Sequence, residues 1–190
     1  MTVDQHPPRD AYRVPDGVLI RAETPEDASG ITAVHRAAFP RESVDRLVEL
    51  LRDTPAYVPD MSLVATIDSG VVGHVMIGIA TLRDGSRDRP IAMLSPLGVL
   101  PEAQRRGIGS ALVDRVVERA DRRGEPAVVL EGDPAFYGRL GFVAAEGRGI
   151  YLPLPGWARP ECAQIPVLRE TVPSLRGRVI YPPPFDLVAD

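Results

Sequence analysis

The feature that most constrains the fold is an apolar segment, followed by a loop with arginines and glycines and then by an amphipathic helix. Residues 91–100 are nearly all apolar apart from Ser95, which is typical of a central strand covered on both faces. A helix beginning near Gly107 places four apolar residues on one face: Ile108, Leu112, Val116 and Ala120. Residues 127–130 form a second apolar strand. This order predicts two parallel strands joined by a right-handed crossover.

The predicted central strand contains two residues that interrupt regular pairing. Pro96 lacks the amide hydrogen that a strand donates to its neighbour, and Gly98 is typical of a bulge or of a close backbone approach. We therefore expect the ladder of hydrogen bonds to break locally near the end of this strand.

Two helices and a short strand are predicted near the N-terminus. Residues 18–21 form the strand, and Thr24, Pro25 and Asp27 predict a capped helix start. That helix buries one face and ends at Pro40; the face consists of Ile31, Val34 and Ala38. A second helix, ended by Pro55 and Pro59, has four apolar residues at helical spacing: Val44, Leu47, Val48 and Leu51.

A hairpin is predicted between these helices and the central strand. Residues 63–67 and 71–82 are rich in β-formers and flank a turn at residues 68–70. A second, polar turn at residues 84–88 then leads into the central strand. The three strands together predict an antiparallel meander.

The C-terminal part gives weaker signals. Asp133 predicts the cap of a short helix over residues 134–140, which Gly141 ends. Residues 163–170 and 177–181 are strand candidates in a proline-rich region, and their partners are left open. We expect a flexible lead-in at residues 1–16, then a single domain over residues 17–190 with a proline-rich extension from about residue 147.

Composition excludes several classes of function. The 190 residues carry a net charge of −4, so no basic stripe points to nucleic acid. A lone cysteine, Cys162, and three widely separated histidines give no metal-binding pattern. No apolar run approaches the roughly 20 residues of a membrane span, and no signal pattern precedes the domain. We therefore expect no metal, no nucleic-acid partner, no membrane association and a cytoplasmic location.

The loop before the predicted helix has the composition of an anion site. The start of a helix has unpaired N–H groups and a partial positive charge, which together bind anions. Gly107 and Gly109 let a diphosphate approach the backbone, Ser110 can add a hydroxyl group, and Arg105 and Arg106 can donate charge-assisted hydrogen bonds. Because lysine is absent from the chain, any anion site must use arginine, backbone N–H groups or both.

Three kinds of phosphate site compete for this loop. A P-loop requires a lysine that the chain lacks. A dinucleotide site is favoured by Gly107 and Gly109 and by Glu131 at the end of the next strand, but Leu112 occupies the third glycine position. The third possibility is a site for the pyrophosphate of an acyl-CoA.

Residues 97–112 resemble the signature motif of the GNAT superfamily of N-acetyltransferases, Gln/Arg-x-x-Gly-x-Gly/Ala after a strand. Residues 136–142 are similar to the family's Phe-Tyr-x-x-x-Gly-Phe motif. The matches have the family's order and usual separation, and the resemblance covers residues 18–142. It implies an α/β (α+β) GNAT-type acyl-CoA N-acyltransferase fold. That fold has a central mixed sheet with an antiparallel N-terminal half, one parallel strand–helix–strand unit, and helices on both faces.

The resemblance also implies a site for acetyl-CoA as cosubstrate. In the family, the strand before the loop is splayed from its parallel neighbour, and the pantetheine arm pairs with the exposed edge like an extra strand. The loop and the helix start wrap the pyrophosphate. The implied cofactor-binding residues are Leu97, Gly98, Val99, Arg105, Arg106, Gly107, Ile108, Gly109 and Ser110.

Two residues are candidates for catalysis. Tyr137, from the second motif, is the candidate general acid, since a positioned phenol can protonate the departing CoA thiolate; otherwise it is a core aromatic residue. Glu131 is the candidate general base because it ends a strand beside the expected cleft; otherwise it is an exposed strand-end charge. His74 is more typical of a structural histidine, and Ser95 could bind a water molecule.

The remaining polar and aromatic residues near the second motif have simpler explanations. Asp133 is explained as a helix cap, and Phe136 and Phe142 are expected in the core.

In the family, the acceptor is selected by the early helices and the C-terminal part, here residues 36–53 and 147–181. Three aromatic residues there could line an apolar acceptor pocket, although packing is the commoner role: Tyr151, Trp157 and Tyr181.

The sequence therefore predicts acetyl transfer from acetyl-CoA to a primary amine of a small molecule or peptide, by direct attack. A binding module that senses acyl-CoA without turnover is the alternative, and an NAD(P)-dependent oxidoreductase is disfavoured by Leu112. A homodimer is possible, and the identity of the acceptor is left open.

Overall fold

A mixed sheet organises the computed structural model, which describes residues 13–39, 43–166 and 175–187. The described residues form nine strands: β1 (Leu19–Ala22), β2 (Tyr57–Ile67), β3 (Gly70–Asp84), β4 (Arg87–Val99), β5 (Val128–Glu131), β6 (Val143–Ala144), β7 (Ile150–Tyr151), β8 (Ala163–Ile165) and β9 (Gly177–Ile180). They also form four α-helical segments: α1 (Ala28–Ala38), α2 (Ser43–Arg52), α3 (Ile108–Arg123) and the single turn α4 (Pro134–Tyr137).

The order of strands in the sheet follows the chain from β1 to β5. Strands β1 to β4 pair antiparallel with their neighbours, and β4 pairs with β5 in parallel. Beyond β5, the sheet continues antiparallel through β8 to β6, while β9 pairs with both β3 and β7. The antiparallel meander and the parallel β4–α3–β5 unit are therefore confirmed.

The hairpin strands are longer than their apolar patterns predict. Strand β2 begins at Tyr57 and includes Pro59, which had been expected to end the preceding element. The proline is accommodated because the pairing with β3 is irregular between Tyr57 and Ser62. The second turn is also shorter than predicted, since Asp84 pairs with Arg87. These polar residues extend the ladder because backbone pairing does not require an apolar side chain.

The start of the first helix depends on Asp27. The Thr24 N–H donates to its carboxylate at 2.8 Å, as the predicted capping box requires. Arg21 adds a bidentate ion pair at 2.6 and 2.8 Å, a contact that local spacing did not predict. Residues 25–27 form a 3₁₀ turn before α1. His35 is buried on α1, whereas Ala38 is only half-buried; Pro40, the predicted stop, lies outside the described residues.

Helices cover both faces of the sheet, as predicted. One face packs against α3 through the predicted stripe: Ile108, Leu112, Val116 and Ala120. The opposite face packs against α1 and α2, through Ile31, Leu47, Val48 and Leu51 on the helices and Val64 and Met76 on the strands. A third apolar group packs residues of β3, β4 and β5 against residues of β7, β8 and β9.

The C-terminal strands are partly as predicted. Strand β8 is confirmed over three residues, and residues 167–170 of that prediction lie outside the described part of the chain. Strand β9 extends β3 through pairs such as Leu82 with Val179. Of the predicted lead-in, residues 1–12 also lie outside the described part. None of the described helices is long and apolar enough to cross a membrane.

We predict that Leu112→Ala lowers the free energy of unfolding by about 2–5 kcal/mol, because Leu112 is fully buried between α3 and the sheet and truncation leaves a cavity. Denaturant unfolding measures this loss. Val143→Ala is the control, because Val143 is 40% exposed and its truncation should change stability by less than about 0.5 kcal/mol. Equal losses in both variants would contradict the assignment of the α3 face to the core.

Candidate active site

The parallel strands β4 and β5 are paired over only a short stretch. Their partners are Ala92 with Val128 and Met93 with Val129. Just beyond this stretch, the β3–β4 register shifts, and the shift leaves Ser95 and Pro96 of β4 in a bulge. The irregularity falls at Pro96, as predicted, whereas Gly98 is regularly paired with His74. Because β4 and β5 are not paired beyond Met93 and Val129, a split lies between the two strands there.

The backbone groups at the end of β4 alternate between the two sides of the strand. The Leu100 N–H donates to the Val72 carbonyl at 2.9 Å, and Gly98 lies opposite His74. Because hydrogen-bonded pairs alternate along an antiparallel ladder, the peptide groups of Gly98 face β3. Those of Leu97 and Val99 consequently face the split, where an extended ligand can pair with them.

A cleft of about 640 Å³ lies along this edge. It is lined by the end of α1, the end of β4, the following loop, the start of α3, and α4 with the segment after it: Ala38, Phe39, Leu97, Gly98, Val99, Gln104, Arg105, Gly107, Gly109, Ser110, Phe136, Arg139 and Leu140. Seven of the nine predicted cofactor-binding residues are among them. Ile108 is instead buried in the core, so only its backbone is available to a ligand, and the exposed Arg106 lies outside the lining.

The start of α3 provides an anion site at one end of the cleft. The first helical hydrogen bond joins the Ala111 N–H to the Gly107 carbonyl, so the preceding N–H groups have no partner within the helix. The partial positive charge of a 16-residue helix and the guanidinium of Arg105 act at the same place. Gln104, a motif residue missing from the predicted set, donates from Nε2 to the Val99 carbonyl at 3.0 Å and ties the loop to β4.

Tyr137 lies on the α3 side of the sheet, behind the cleft lining. Its ring is only 7% exposed and packs edge-on against Phe136 and Phe142, with centroids 4.8 and 5.4 Å away. Burial raises the pKa of the phenol, so Tyr137 holds its proton at neutral pH. Phe136, expected in the core, is half-buried and lines the cleft, whereas Phe142 is buried as expected.

Glu131 lies on the opposite side of the sheet. Side chains alternate along β5, so Leu130 points toward α3 and Glu131 points toward β9. There it accepts a hydrogen bond from the hydroxyl of Tyr181. Burial raises the pKa of Glu131 although part of the residue reaches solvent, and the bond from Tyr181 opposes that rise. Tyr137 and Glu131 therefore flank the end of β5 from its two faces.

Comparison with known proteins identifies the family. A family model described as an acetyltransferase (GNAT) domain matches residues 19–145. The uncharacterized N-acetyltransferases YjhQ and YhbS of Escherichia coli K12 are 35% and 34% identical, over 68% and 73% of this chain and 72% and 81% of theirs. The chain belongs to the GNAT family. It is accordingly an acetyl-CoA-dependent acyltransferase.

Solved structures of GNAT proteins support the same assignment. The GNAT family N-acetyltransferase YhbS from Escherichia coli, in complex with CoA, matches with a TM-score of 0.81 and 30% identity, over 92% of this chain and 94% of that one. A GNAT family acetyltransferase from Brucella melitensis, in complex with acetyl-CoA, matches with a TM-score of 0.72 and 29% identity, over 89% and 98%. The GNAT-type fold predicted from the two motifs is confirmed.

Other predicted residues of this GNAT domain have structural roles or lie at the surface. The Asp133 carboxylate caps α4 by accepting from the Ala135 N–H at 2.9 Å. Cys162 is half-buried, and its carbonyl accepts from the Gly132 N–H. Trp157 is 76% exposed. Among the residues described, no group of three or more His, Cys, Asp or Glu side chains could hold a metal ion.

A buried polar network beside the cleft was missed by the sequence patterns. The Glu23 carboxylate is 6% exposed and receives a bidentate ion pair from Arg52, both bonds at 2.9 Å, and the hydroxyl of Tyr57 at 2.7 Å. His74 Nε2 lies 3.2 Å from Glu23, and His74 Nδ1 lies 2.8 Å from His35 Nε2. No local pattern indicates this network, because its residues come from β3, α1, α2, β2 and the segment after β1.

Burial and hydrogen bonds set the charges within this network. Burial opposes the ionisation of Glu23, but the bonds from His74, Arg52 and Tyr57 outweigh it and lower the pKa of the carboxyl. Burial, reinforced by repulsion from its neighbours, lowers the pKa of His35 to about 3, and burial also lowers the pKa of His74. At neutral pH the network therefore contains a carboxylate and two uncharged imidazoles.

We predict that Gly132→Ala displaces the ring of Tyr137, because a Cβ at position 132 would lie 2.2 Å from Tyr137 Cε2. The expected cost is about 1–3 kcal/mol in the free energy of unfolding, together with reduced turnover. Gly138→Ala is the matched control, since no atom lies within 4 Å of a Cβ there and the backbone is helical. Thermal unfolding of both variants tests the packing, and equal stability would contradict it.

Proposed function

We propose that this protein transfers an acetyl group from acetyl-CoA to a primary amine of a small molecule or peptide, by direct attack of the amine on the thioester. The observation that carries the proposal is the split between β4 and β5, whose free edge runs directly into the anion-binding start of α3. An extended pantetheine arm ending in a diphosphate has the same two requirements, a strand edge and an anion site.

The cofactor residues follow from this geometry. The pantetheine amides would pair with the peptide groups of Leu97 and with the Val99 N–H, which face the split, since the Val99 carbonyl already accepts from Gln104. The pyrophosphate would accept hydrogen bonds from the N–H groups at the start of α3 and from Arg105. The structures of YhbS with CoA and of the Brucella melitensis protein with acetyl-CoA support this placement, because their folds align with nearly all of this chain.

The two catalytic residues act on different protons. Glu131 would remove a proton from the incoming ammonium group, since only the free amine has a lone pair with which to attack. Burial raises the pKa of Glu131, which makes its carboxylate a better base than an ordinary carboxylate. Tyr137 would protonate the sulfur as the C–S bond breaks; its ring packs edge-on against Phe136, which lines the cleft.

The acceptor would approach from the face that carries Glu131. That face is formed by α1, α2 and the C-terminal strands, and the bond from Tyr181 places the C-terminal segment directly at the base. The part of the acceptor site next to Glu131 therefore consists of polar and aromatic groups. A sensor that binds acyl-CoA without turnover is the alternative function, and release of free thiol distinguishes the two.

We predict that Arg105→Gln weakens CoA binding about 10–100-fold, because a charge-assisted hydrogen bond contributes about 1.5–3 kcal/mol. Arg106→Gln is the matched control: both side chains are exposed, but only Arg105 lines the cleft. Titration calorimetry with CoA measures the difference. Equal affinity in both variants would show that the pyrophosphate does not lie against Arg105.

We predict that the wild-type protein releases free thiol from acetyl-CoA when it is offered members of a primary-amine panel. Tyr137→Phe should reduce kcat about 100-fold with little change in the KM for acetyl-CoA, because the phenol acts only as the thiolate leaves. Glu131→Gln should remove the acidic limb of the pH–rate profile, which lies above the ordinary carboxyl pKa.

Three outcomes would contradict these assignments. CoA binding without thiol release from any amine would favour the sensor. Undiminished turnover by Tyr137→Phe would remove the acid role from that residue, and an unchanged acidic limb in Glu131→Gln would remove the base role from Glu131.

A further inference from the structure

The carboxylate of Glu131 is contacted by a residue from the C-terminal part of the chain. The hydroxyl group of Tyr181 donates a hydrogen bond to Oε1 of Glu131. Tyr181 directly follows β9, whose last residue, Ile180, is paired with Thr81 of β3. The family model matches residues 19–145, so the contact comes from a segment that the family motifs do not include.

Tyr181 is anchored by the elements before and after it. The ladder between β9 and β3 fixes the chain at Ile180. On the other side, the ring of Tyr181 packs against the ring of Phe185 with centroids 5.1 Å apart. Phe185 in turn packs against two apolar groups, the one beneath the C-terminal strands and the one formed by α1, α2 and the sheet. The hydroxyl group therefore reaches Glu131 from a well-supported ring.

The charges of the two partners determine which of them donates. Burial, reinforced by the neighbouring carboxylate, raises the pKa of Tyr181, so the phenol keeps its proton. A protonated phenol can donate, whereas an ionised carboxylate only accepts. A hydrogen bond to the charged form of a group favours that form. The bond from Tyr181 therefore opposes the effect of burial on the pKa of Glu131.

Among the described residues, burial and Tyr181 are the influences that set the pKa of Glu131. On β8, Ala163 lies opposite Glu131 and is followed by the neutral Gln164. Asp133, two residues after Glu131, uses its carboxylate to cap α4. Removal of the Tyr181 hydroxyl group would therefore leave the effect of burial unopposed.

We propose that Tyr181 is a positioning residue, which holds one oxygen of Glu131 so that the other can take a proton from the ammonium group of the acceptor. This role rests on the proposed amine acetylation and deepens it. A buried carboxylate without a hydrogen-bond donor tends to take up a proton, and a protonated carboxyl group cannot act as a base. The bond from Tyr181 favours the ionised carboxylate and fixes its orientation.

Tyr181 does not exchange its own proton in this step. The ammonium group gives a proton to Oε2 of Glu131, and the electron pair of the broken N–H bond stays on nitrogen for the attack on the thioester. Tyr181 continues to donate to Oε1 throughout. Glu131 then loses the acquired proton to solvent, which part of the residue reaches.

Titration of the Glu131 carboxyl group measures the contact without any acceptor. In protein that is isotopically labelled at the glutamate carboxyl carbons, the Glu131 signal is the one that Glu131→Gln removes. Tyr181→Phe keeps the ring against Phe185 and removes only the hydroxyl group. The midpoint of the Glu131 signal should therefore rise by about 1–2 pH units. An unchanged midpoint in folded Tyr181→Phe would overturn the proposal.

The pH–rate profile separates this role from a loss of packing. In Tyr181→Phe, the acidic limb of kcat/KM for the amine should move to higher pH by the same amount, and most of the lost turnover should return on the alkaline side. Damage to the fold would instead lower turnover at every pH. Tyr181→Phe should also add little to the defect of Glu131→Gln, because the hydroxyl group then has no base to orient.

The failure of this role and the failure of the proposed function give different results. An unshifted acidic limb, or full additivity of Tyr181→Phe and Glu131→Gln, in an enzyme that still releases thiol would overturn the role of Tyr181 alone. Absence of thiol release by the wild-type protein with every amine would overturn the proposed function and the role of Tyr181 with it.

Discussion

The loss of pairing between β4 and β5 is the constraint on which the rest of the site depends. A parallel pair normally uses every peptide group on its facing edges, but here regular pairing stops after Met93 and Val129. Pro96 cannot donate to a ladder, and the bulge around it turns the end of β4 away from regular register. The peptide groups released in this way form an unpaired edge inside the sheet, where a continuous ladder would have left none, and this is the edge that we propose binds the pantetheine arm.

The two faces of β5 carry chemically different side chains beside the split. Because side chains alternate along a strand, Leu130 points into the α3 core and Glu131 points to the other face. Gly132 follows β5 directly, and because it has no Cβ, the ring of Tyr137 can pack against this point of the chain on the α3 side. One short strand therefore separates a phenol that burial keeps protonated from a carboxylate that can accept a proton.

The sequence predicts the β4–α3–β5 unit well because that unit is local. The strand, the loop with Arg105 and Gly107, and the helix they enter are contiguous, so their spacing alone indicates an anion site. The network around His35 was unpredictable for the opposite reason. Glu23 and His74 are 51 residues apart in sequence, and neither lies in a recognisable motif. A lone histidine on a strand is more often structural, and only the fold shows that His74 connects a carboxylate to a second histidine.

The same difference between local and distant residues explains why the sequence indicates the cofactor more clearly than the proposed acceptor site. Glu131 and its partner Tyr181 are 50 residues apart, and the face they share is assembled from α1, α2 and strands of the proline-rich C-terminal part. Such a face can change by substitution in any one segment without disturbing the β4–α3 unit. In the proposed function, a donor site on the contiguous β4–α3 unit lies beside an acceptor face built from distant segments, an arrangement that would let one fold retain its cofactor while its amine substrate varies.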